Sequence, residues 1–328
     1  MSPALPRSVA VLGLGALGSA LVPALRKAGL RVRTWTRGEP LARIRDAELF
    51  LLAVSDSAVA PLCARLAAES LIGPGQLVVH LAGALPLEPL APALERGARI
   101  GSLHPLRAVS HGAPTDALRG AAAGIAGSDA QARRTLQALA RALGLTPFPV
   151  GNDVRALYHA AAVLAAGAQV ALFAEAVRAF RAATGVREQE ARAALLPLAC
   201  GALARLEELT PAQGMTGPAL RGDVATVHAH RQALLVYDPR VLSLYDQLTL
   251  AAVHLAKGHT EPGALREVER LSRRSPASLA PPGPGSQSSR SPPRLQRAAR
   301  PEASSRSPAR RGRPTSPPLP GPAPRRPR

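Results

Sequence analysis

Short apolar runs alternate with helix-length segments along residues 8–150. Most of the runs are rich in Val, Ile and Leu, as expected of strands that are buried on both faces of a sheet. The predicted strands cover residues 9–12, 30–35, 49–54, 77–81, 99–103, 122–126 and 145–150. This pattern predicts an α/β domain, a parallel sheet covered by helices on both faces. Because the stretch 37–48 is barely long enough for a parallel crossover, we expect its helix to be truncated.

The periodicity becomes helical after Gly151 and stays helical to about Leu271. It predicts first one long helix of about 30 residues, capped by Asn152 or Asp153 and ending at Gly185. Further helices are expected to be separated by glycine and proline at positions 197, 201, 211, 214, 217 and 218. The second part of the chain is therefore predicted to be an all-α domain.

The last segment, 272–328, is dominated by Pro, Arg, Ser and Gly, which predicts a disordered tail. The chain thus divides into an α/β domain (1–150), a helical domain (151–271) and the tail (272–328). The tail has 13 arginines and one acid, so it carries +12 of the net charge of +19. Its arginines could bind nucleic-acid phosphates. Without Phe, Tyr or Trp for base stacking, however, a dispensable extension is the favoured interpretation.

Cysteine content and hydropathy indicate where in the cell the protein is expected. Cys63 and Cys200 form no disulfide framework, so we expect a reducing compartment, the cytoplasm. The most apolar late run, 160–174, contains Gln169 and falls short of the roughly 20 residues that span a bilayer. No transmembrane helix and no membrane partner are therefore predicted. The eight histidines have no paired cysteines or close carboxylates, so no metal site is predicted either.

A glycine-rich turn directly follows the first predicted strand and opens a helix that runs to Lys27. The turn reads Gly13-Leu14-Gly15-Ala16-Leu17-Gly18. In this pattern the first glycine allows a tight turn, the second lets a pyrophosphate approach the backbone, and the third allows close packing of helix and strand. The free N–H groups and the helix dipole then attract phosphate. The motif predicts dinucleotide binding, and the alternative is a turn that serves packing alone.

The end of the second strand should show which dinucleotide is preferred, because an acid there would bind the ribose 2′-hydroxyl of NAD. The chain has no acid at this place, and Thr36 and Arg37 could instead bind a 2′-phosphate. This favours NADP, unless Arg37 is only solvated and partly neutralised by Glu39. Val54 and Ser55, at the end of the third strand, are also expected to border the cofactor, although Ser55 fits a helix cap as well.

Four polar residues are candidates for the chemistry. His104 follows the fifth strand and His159 lies in the first turns of the long helix; either could exchange a proton near neutral pH. A histidine that only hydrogen-bonds backbone before Pro105 is an equally good interpretation of His104. Arg221 offers a planar fork for a substrate carboxylate. Asp223, two residues later, also fits a helix cap.

These residues together resemble the Rossmann-like proteins with a C-terminal helical domain of unknown function. That family is related to the 6-phosphogluconate, beta-hydroxyacid, ketopantoate and pyrroline-5-carboxylate reductase group. The resemblance covers residues 7–257 and rests on the glycine-rich turn, Ala53-Val54-Ser55-Asp56, Ser102-Leu103-His104-Pro105-Leu106, Tyr158-His159-Ala160-Ala161-Ala162 and Thr216-Gly217-Pro218 with Arg221-Gly222-Asp223. It implies an NADP-linked oxidoreductase fold with a 6-phosphogluconate-dehydrogenase-like C-terminal domain, dimeric through its helices.

The sequence departs from this family at two positions. The family usually has Ser where Ala82 stands, and Ser-Asn where Ala166-Gly167 stands. The leading hypothesis is an enzyme in which NADPH reduces a small oxo- or imino-acid bound between the domains. The departures motivate a second hypothesis, a non-catalytic NADP-binding or redox-sensing protein derived from such an enzyme.

Overall fold

The computed structural model describes residues 5–258 and 260–275. All seven predicted strands are present and belong to one sheet. They are β1 (Ser8–Leu12), β2 (Arg31–Trp35), β3 (Leu49–Leu52), β4 (Leu77–His80), β5 (Arg99–Pro105), β6 (Ala122–Gly127) and β7 (Thr146–Pro149). The predicted disordered tail lies outside the described residues from position 276 onward.

The described residues form eleven α-helices. They are α1 (Ala16–Lys27), α2 (Asp56–Ala68), α3 (Ala91–Glu95), α4 (Ala130–Ala142), α5 (Arg155–Ala165), α6 (Gly167–Thr184), α7 (Glu188–Ala204), α8 (Pro211–Gly214), α9 (Val224–Tyr237), α10 (Pro239–Ala256) and α11 (Pro262–Ser272). The chain therefore has a sheet with flanking helices up to residue 149 and is helical from residue 155, as the hydrophobic pattern predicted.

The strand order is β2-β1-β3-β4-β5-β6-β7, and the first five strands are parallel. The prediction of an all-parallel sheet is wrong for the last two strands, because β6 pairs antiparallel with β5 and β7 follows β6 in parallel. The connection 106–121 contains no helix. The chain therefore does not cross back over the sheet, and β6 starts at the edge where β5 ends, with Ala123 opposite Pro105.

Two apolar layers cover the two faces of the sheet, because side chains alternate along each strand. On one face, Val9, Val11, Leu49 and Leu51 pack with residues of α1 and α4. On the other face, Ala10, Leu12, Phe50 and Leu52 pack with residues of α2 and α3. All eight of these strand residues are fully buried. This confirms the predicted sheet with helices on both faces.

The segment between β2 and β3 contains only a short 3₁₀ turn, Leu41–Ile44, in place of a crossover helix. This confirms the truncation that its length predicted. Both terminal residues of the turn are buried in the layer that includes Phe50, so the turn still covers this face of the sheet.

The predicted long helix is wrong in two details. It is broken at Ala166, whose φ of −127° and ψ of −79° are not helical, so α5 and α6 are separate segments. Its first turn is not capped by Asn152, because the residue before α5 is Val154 and makes no side-chain cap. The Asn152 side chain instead accepts from the Leu87 N–H at 2.8 Å and donates to the Glu88 carboxylate at 2.6 Å.

The glycine and proline signals in the helical part were partly misinterpreted. Gly185 ends α6 with a left-handed φ of +74°, as predicted. Pro197 and Gly201, which were expected to separate helices, both lie inside α7. Proline removes one backbone hydrogen bond, but α7 continues on either side of it.

The helical part has two regions of different burial. Helices α9, α10 and α11 enclose a small core of Val227, Val253, Ala256, Leu265 and Val268. In contrast, the most apolar 18-residue window within residues 155–184 has a mean hydropathy of 1.8, and only 6 % of this window is buried. By length and composition this stretch could cross a membrane, contrary to the sequence estimate, which considered only 160–174. Length and composition do not distinguish such a helix from one that is covered by another protein surface.

Candidate functional site

The glycine-rich turn connects β1 to α1 and has the geometry of a phosphate-binding turn. Gly13 has a φ of +99°, which favours glycine, and its N–H donates to the Trp35 carbonyl at 2.9 Å. A Cβ on Gly13 would collide with the Ala53 carbonyl, and a Cβ on Gly18 would collide with the Gly13 carbonyl. Gly15 caps α1 and has open space where its Cβ would be. The turn therefore has no room for a side chain at Gly13 or Gly18, and it leaves open space at Gly15.

A cavity of about 510 Å³ lies in front of this turn, at the carboxyl ends of β1, β2 and β3. Seven of the ten predicted cofactor residues line it: Gly13, Leu14, Gly15, Thr36, Arg37, Val54 and Ser55. The other three, Ala16, Leu17 and Gly18, form the first turn of α1 and do not line it. Ser55 occupies the N-cap position of α2, but its side chain makes no cap hydrogen bond.

The end of the cavity at β2 differs from the predicted 2′-phosphate site. The Thr36 hydroxyl is hydrogen-bonded to the Glu39 carboxylate at 3.0 Å, and the Thr36 N–H donates to the same oxygen at 2.7 Å. These bonds lower the pKa of Glu39, with the Arg43 charge contributing less. Arg37 lines the cavity and makes no ion pair within the described part of the chain. Its guanidinium can therefore bind a phosphate.

Arg65 is a cavity residue that the sequence analysis missed. It projects from α2 into the lining beside Pro61 and Leu62, and its Nε is 2.7 Å from the Glu69 carboxylate. A cation four residues before an acid on a helix looks like an ordinary surface pair, so the residue pattern did not single out Arg65. Arg37 and Arg65 together provide two guanidinium groups at this cavity.

A second cavity, of about 440 Å³, contains both predicted histidines. His104 and His159 line it together with residues 105–108 and with the end of α5 up to Gly167. The two imidazole centroids are 5.7 Å apart. Both rings pack against Gly83, where a Cβ would lie 2.9 Å from His104 Nε2 and would collide with His159. The structure therefore brings the two predicted proton donors together.

His104 lies within β5, so the alternative of a loop histidine bonded to backbone is wrong. Its Nδ1 is 2.7 Å from the hydroxyl oxygen of Tyr158, and the two rings meet edge to face. Burial lowers the pKa of His104 to about 4, and the nearby His159 and Arg155 act in the same direction. The imidazole is therefore neutral at physiological pH.

Arg155, the first residue of α5, lies beneath this cavity and was also missed. Its side chain is fully buried. It donates to the Ser102 hydroxyl at 2.7 Å and to the Ala82 carbonyl at 3.1 Å, so it joins the ends of β4 and β5 to α5. No carboxylate pairs with it within the described residues. A usable signal was the spacing of Arg155, Tyr158 and His159, which places all three on one face of α5.

The Arg155 charge and burial affect two other groups. Burial lowers the pKa of His80 to about 4, and Arg155 is the next largest cause. Burial raises the pKa of Tyr158, and Arg155 partly opposes this by favouring the phenolate. The region where β4 and β5 end and α5 begins therefore carries the positive charge of Arg155, while the imidazoles of His80 and His104 are neutral.

Arg221 and Asp223 do not line the cavity at His104. Asp223 caps α9, because its carboxylate accepts from the Thr226 N–H at 3.0 Å and from the Thr226 hydroxyl at 2.7 Å. These bonds lower the pKa of Asp223. Arg221 is exposed at the same end of α9. Arg107, in contrast, lines the cavity and is exposed.

The two cavities lie along one edge of the sheet. The strands β1, β3, β4 and β5 are neighbours, so the phosphate turn, Ala53, Ala82 and His104 follow one another at their carboxyl ends. At about 4.8 Å per strand, three steps from β1 to β5 cover about 14 Å. A dinucleotide anchored at the turn would extend along this edge toward His104. Within the described residues, no group of three potential metal ligands is found.

Comparison with known proteins identifies both parts of the chain. Residues 38–105 match the Rossmann-like domain, and residues 121–252 match the domain of unknown function DUF2520. Among curated proteins, none matches the sequence.

Solved structures share the fold at low identity. A proposed NADP oxidoreductase from Bacteroides fragilis is 23 % identical, with a TM-score of 0.60 over 75 % of this chain and 98 % of its own. Protein TM1727 from Thermotoga maritima is 20 % identical, with a TM-score of 0.53 over 81 % and 100 %. Pyrroline carboxylate reductase from Plasmodium falciparum, with NADP bound, is 10 % identical, with a TM-score of 0.50 over 82 % and 100 %.

These matches confirm the resemblance that the motifs indicated and the α/β-then-helical architecture. The chain combines a Rossmann-like domain with the C-terminal domain of unknown function DUF2520.

Proposed function

We propose that this protein is an NADP-dependent oxidoreductase that transfers hydride to the carbonyl or imine carbon of a small oxo- or imino-acid. The observation that carries the proposal is the Gly13–Gly18 turn, which excludes side chains on its protein side and opens into a cavity at Gly15. The backbone N–H groups there suit a pyrophosphate, and the residues fit the cofactor. The similar folds of an NADP oxidoreductase and an NADP-bound reductase support it.

Bound NADPH would supply the hydride at the end of the cofactor that points toward β4 and β5. His104 and His159 would supply the proton, because both line the cavity at that end. Leu106, Ala162 and Val163 give the cavity apolar walls. An imine substrate suits such a site because a protonated imine accepts hydride without a strong general acid.

The substrate carboxylate would be bound by a guanidinium group. The sequence favoured Arg221 for this role, and Arg221 and Asp223 remain candidate residues of the substrate site. Arg107 is the alternative, because it lines the cavity at His104 and makes no ion pair within the described residues. Separate Arg107→Ala and Arg221→Ala variants test the two possibilities. Loss of the residue that binds the carboxylate should raise the KM for the substrate with little effect on NADPH affinity.

The test of the function is a two-step measurement on the full chain. Calorimetry should detect NADPH binding, at least about tenfold tighter than NADH binding because of the Arg37 and Arg65 guanidinium groups at the cavity. Consumption of NADPH is then followed across a panel of keto acids and cyclic imines. Absence of binding to either reduced or oxidised nicotinamide nucleotides contradicts the proposal.

A non-catalytic NADP-binding protein is the second candidate, and Ala82 and Gly167 favour it. Ala82 contributes only a buried methyl group at the carboxyl end of β4, and Gly167 contributes no side chain to the cavity at His104. Tight NADPH binding without turnover supports this candidate. Restoring polar side chains with Ala82→Ser and Gly167→Asn should then create activity if the protein is a decayed enzyme.

We also propose a homodimer in the cytoplasm. Helices α5, α6 and α7 expose large apolar side chains that a second copy would cover. The thiols of Cys63 and Cys200 are unpaired, which suits a reducing compartment.

A further inference from the structure

The hydroxyl of Tyr158 is enclosed between β5 and β6. It lies 2.7 Å from His104 Nδ1. On the other side, the backbone of Gly124 hydrogen-bonds the same oxygen, and a Cβ at Gly124 would lie 2.6 Å from it. Gly124 is directly opposite His104 in the antiparallel register of β5 and β6. The reversed β6 therefore holds the tyrosine oxygen against the histidine ring.

The direction of the Tyr158–His104 hydrogen bond follows from the available partners. A neutral imidazole has one donor nitrogen and one acceptor nitrogen. Within the described residues, no oxygen accepts a hydrogen bond from the Tyr158 hydroxyl, so Nδ1 is the acceptor that its proton can reach. The opposite arrangement, with Nδ1 as the donor, would leave the proton of this part-buried hydroxyl without an acceptor among the described residues, which is unfavourable. Nδ1 therefore accepts, and the ring proton of His104 is on Nε2.

The charges that face His104 come from three elements. Helix α5 contributes Arg155 and His159 in addition to Tyr158, and β4 contributes His80, while β6 contributes only the Gly124 backbone. No carboxylate acts on the ring from the described residues. The fixed charge is the Arg155 guanidinium, which opposes an imidazolium. His104 thus remains neutral, and its Nε2 lies beside Gly83 and His159 at the cavity.

We propose that Tyr158 is a positioning residue that fixes His104 in the neutral Nε2–H tautomer, so that His104 donates this proton to the substrate and takes a new one from Tyr158. The proposal rests on the proposed function and deepens it, because it selects His104 rather than His159 as the proton donor. Arg155 has a second role, which is to stabilise the phenolate that forms on Tyr158.

With a carbonyl substrate, the product of hydride and proton transfer is an alcohol. Hydride adds to the carbonyl carbon, and the electron pair of the C=O bond moves to the oxygen. The Nε2 proton of His104 passes to this oxygen to give the alcohol, while Nδ1 takes the Tyr158 hydroxyl proton. Burial raises the pKa of Tyr158, and the Arg155 charge and the Gly124 backbone hydrogen bond partly offset this by favouring the phenolate. A solvent proton then enters at Nε2, and the Nδ1 proton returns to Tyr158.

The tautomer can be measured without cofactor or substrate. Long-range ¹H–¹⁵N spectra of the full chain with ¹⁵N-labelled histidine, assigned by a His104→Gln variant, report the state of both ring nitrogens. We expect the Nε2–H neutral form of His104 from pH 5.5 to pH 8. An Nδ1–H form, or an imidazolium at pH 6, would overturn the proposal.

Variants test the role of the tyrosine. Tyr158→Phe removes the hydroxyl only, so His104 should populate both tautomers, and kcat should fall at least about tenfold with NADPH affinity unchanged within about twofold. Tyr245→Phe is the matched control, because its hydroxyl contacts His230 Nδ1 at 3.0 Å, outside both cavities. It should change neither the His104 spectrum nor kcat.

The failure of this inference differs from the failure of the proposed function. An unchanged His104 tautomer in Tyr158→Phe overturns the inference even if the enzyme turns over. Should Tyr158→Phe not fold, the wild-type spectrum still decides, because the Nδ1–H form contradicts the proposal. Lack of NADPH binding refutes the proposed function and the proton transfer. In that case the histidine spectrum tests only whether Tyr158 positions His104.

Discussion

The guanidinium of Arg231 and the carboxylate of Asp246 form a buried ion pair with two hydrogen bonds, of 2.7 Å and 3.0 Å. The Arg231 side chain is fully buried and that of Asp246 is 7 % exposed. Arg231 also donates to the Arg274 carbonyl at 2.8 Å. The pair therefore connects α9 to α10 and to the residues after α11, beside the small apolar core that α9, α10 and α11 enclose.

Removal of one partner should strongly destabilise the packing of α9, α10 and α11. In Asp246→Asn the Arg231 charge stays buried without a counter-charge, so we expect the free energy of unfolding to fall by about 3–5 kcal/mol. Urea denaturation followed by circular dichroism measures this. Glu267→Gln is the control, because the Glu267–Arg270 pair is exposed, and its loss should cost less than about 1 kcal/mol. Equal effects of the two variants would contradict the role of Asp246.

Gly15→Ala should block the cofactor without damaging the fold. The added methyl meets no protein atom within 4 Å, but Gly15 lines the cavity where a pyrophosphate must approach the backbone. We expect NADPH affinity to fall at least about tenfold while Tm is unchanged. Gly201→Ala adds the same methyl to open space in α7, away from the cavity, and should leave affinity unchanged. Normal NADPH binding to Gly15→Ala would remove the phosphate turn as the binding site.

Arg37 and Arg65 should determine the preference for NADP. Each guanidinium lost from the cavity should weaken NADPH binding about tenfold or more and NADH binding little, because a 2′-phosphate forms charge-assisted hydrogen bonds that a hydroxyl does not. Calorimetry of Arg37→Ala and Arg65→Ala with both cofactors measures this. Arg96→Ala, at an exposed site before β5, is the control. If the substitutions weaken both cofactors equally, the two arginines do not select the 2′-phosphate.

Much of the fold and part of the site could be predicted from the sequence. The strands were predictable because runs such as Leu49–Leu52 are buried on both faces and therefore contain a large apolar residue at every position. The phosphate turn was predictable because backbone contacts at Gly13 and Gly18 leave no room for Cβ atoms. Both features depend on local geometry that restricts which residue types can occupy these positions.

Other features depend on tertiary contacts and are not evident from residue type. An arginine in the first turn of a helix looks solvent-exposed, but Arg155 is buried because Ser102 and Ala82 accept its hydrogen bonds from distant strands. The break at Ala166 involves no proline, so the periodicity continued through it. The reversal of β6 follows from a connection without a helix, and the sequence of 106–121 did not reveal its path.

Stability should fall in mild acid because of His104 and His80. Both have a folded pKa of about 4 against an ordinary value of 6.5, so between these pH values the unfolded chain binds protons that the folded chain does not. The stabilisation is therefore complete above pH 6.5 and is lost as the pH falls toward 4, by at most about 1.4 kcal/mol per pH unit for each histidine.

The difference between variants isolates this effect from that of the carboxylates. His104→Gln should show a smaller loss of unfolding free energy between pH 7 and pH 5 than the wild type. His111→Gln, at an exposed site, should show the wild-type loss. An identical pH dependence in wild type and His104→Gln would mean that His104 is not buried as a neutral group.

The apolar faces of α5, α6 and α7 should be covered by a second copy of the chain. Leu157, Leu164, Val170 and Leu198 are between 65 % and 74 % exposed, and among the described residues of these helices only Arg155, Val177 and Ala191 are buried. A stable dimer buries more than about 1,000 Å² and concentrates such residues at its centre. We therefore expect analytical ultracentrifugation to find a dimer in buffer without detergent.

Single charges on these faces test whether the dimer forms there. Leu164→Glu and Leu198→Glu should each shift the equilibrium to monomer, because burial of an unpaired carboxylate costs several kcal/mol. Val236→Glu is the control, since Val236 is 89 % exposed but lies on α9, outside these three helices. A wild-type monomer would contradict the proposal. Recovery of the wild-type chain only with membranes would assign the apolar stretch 155–184 to a bilayer instead.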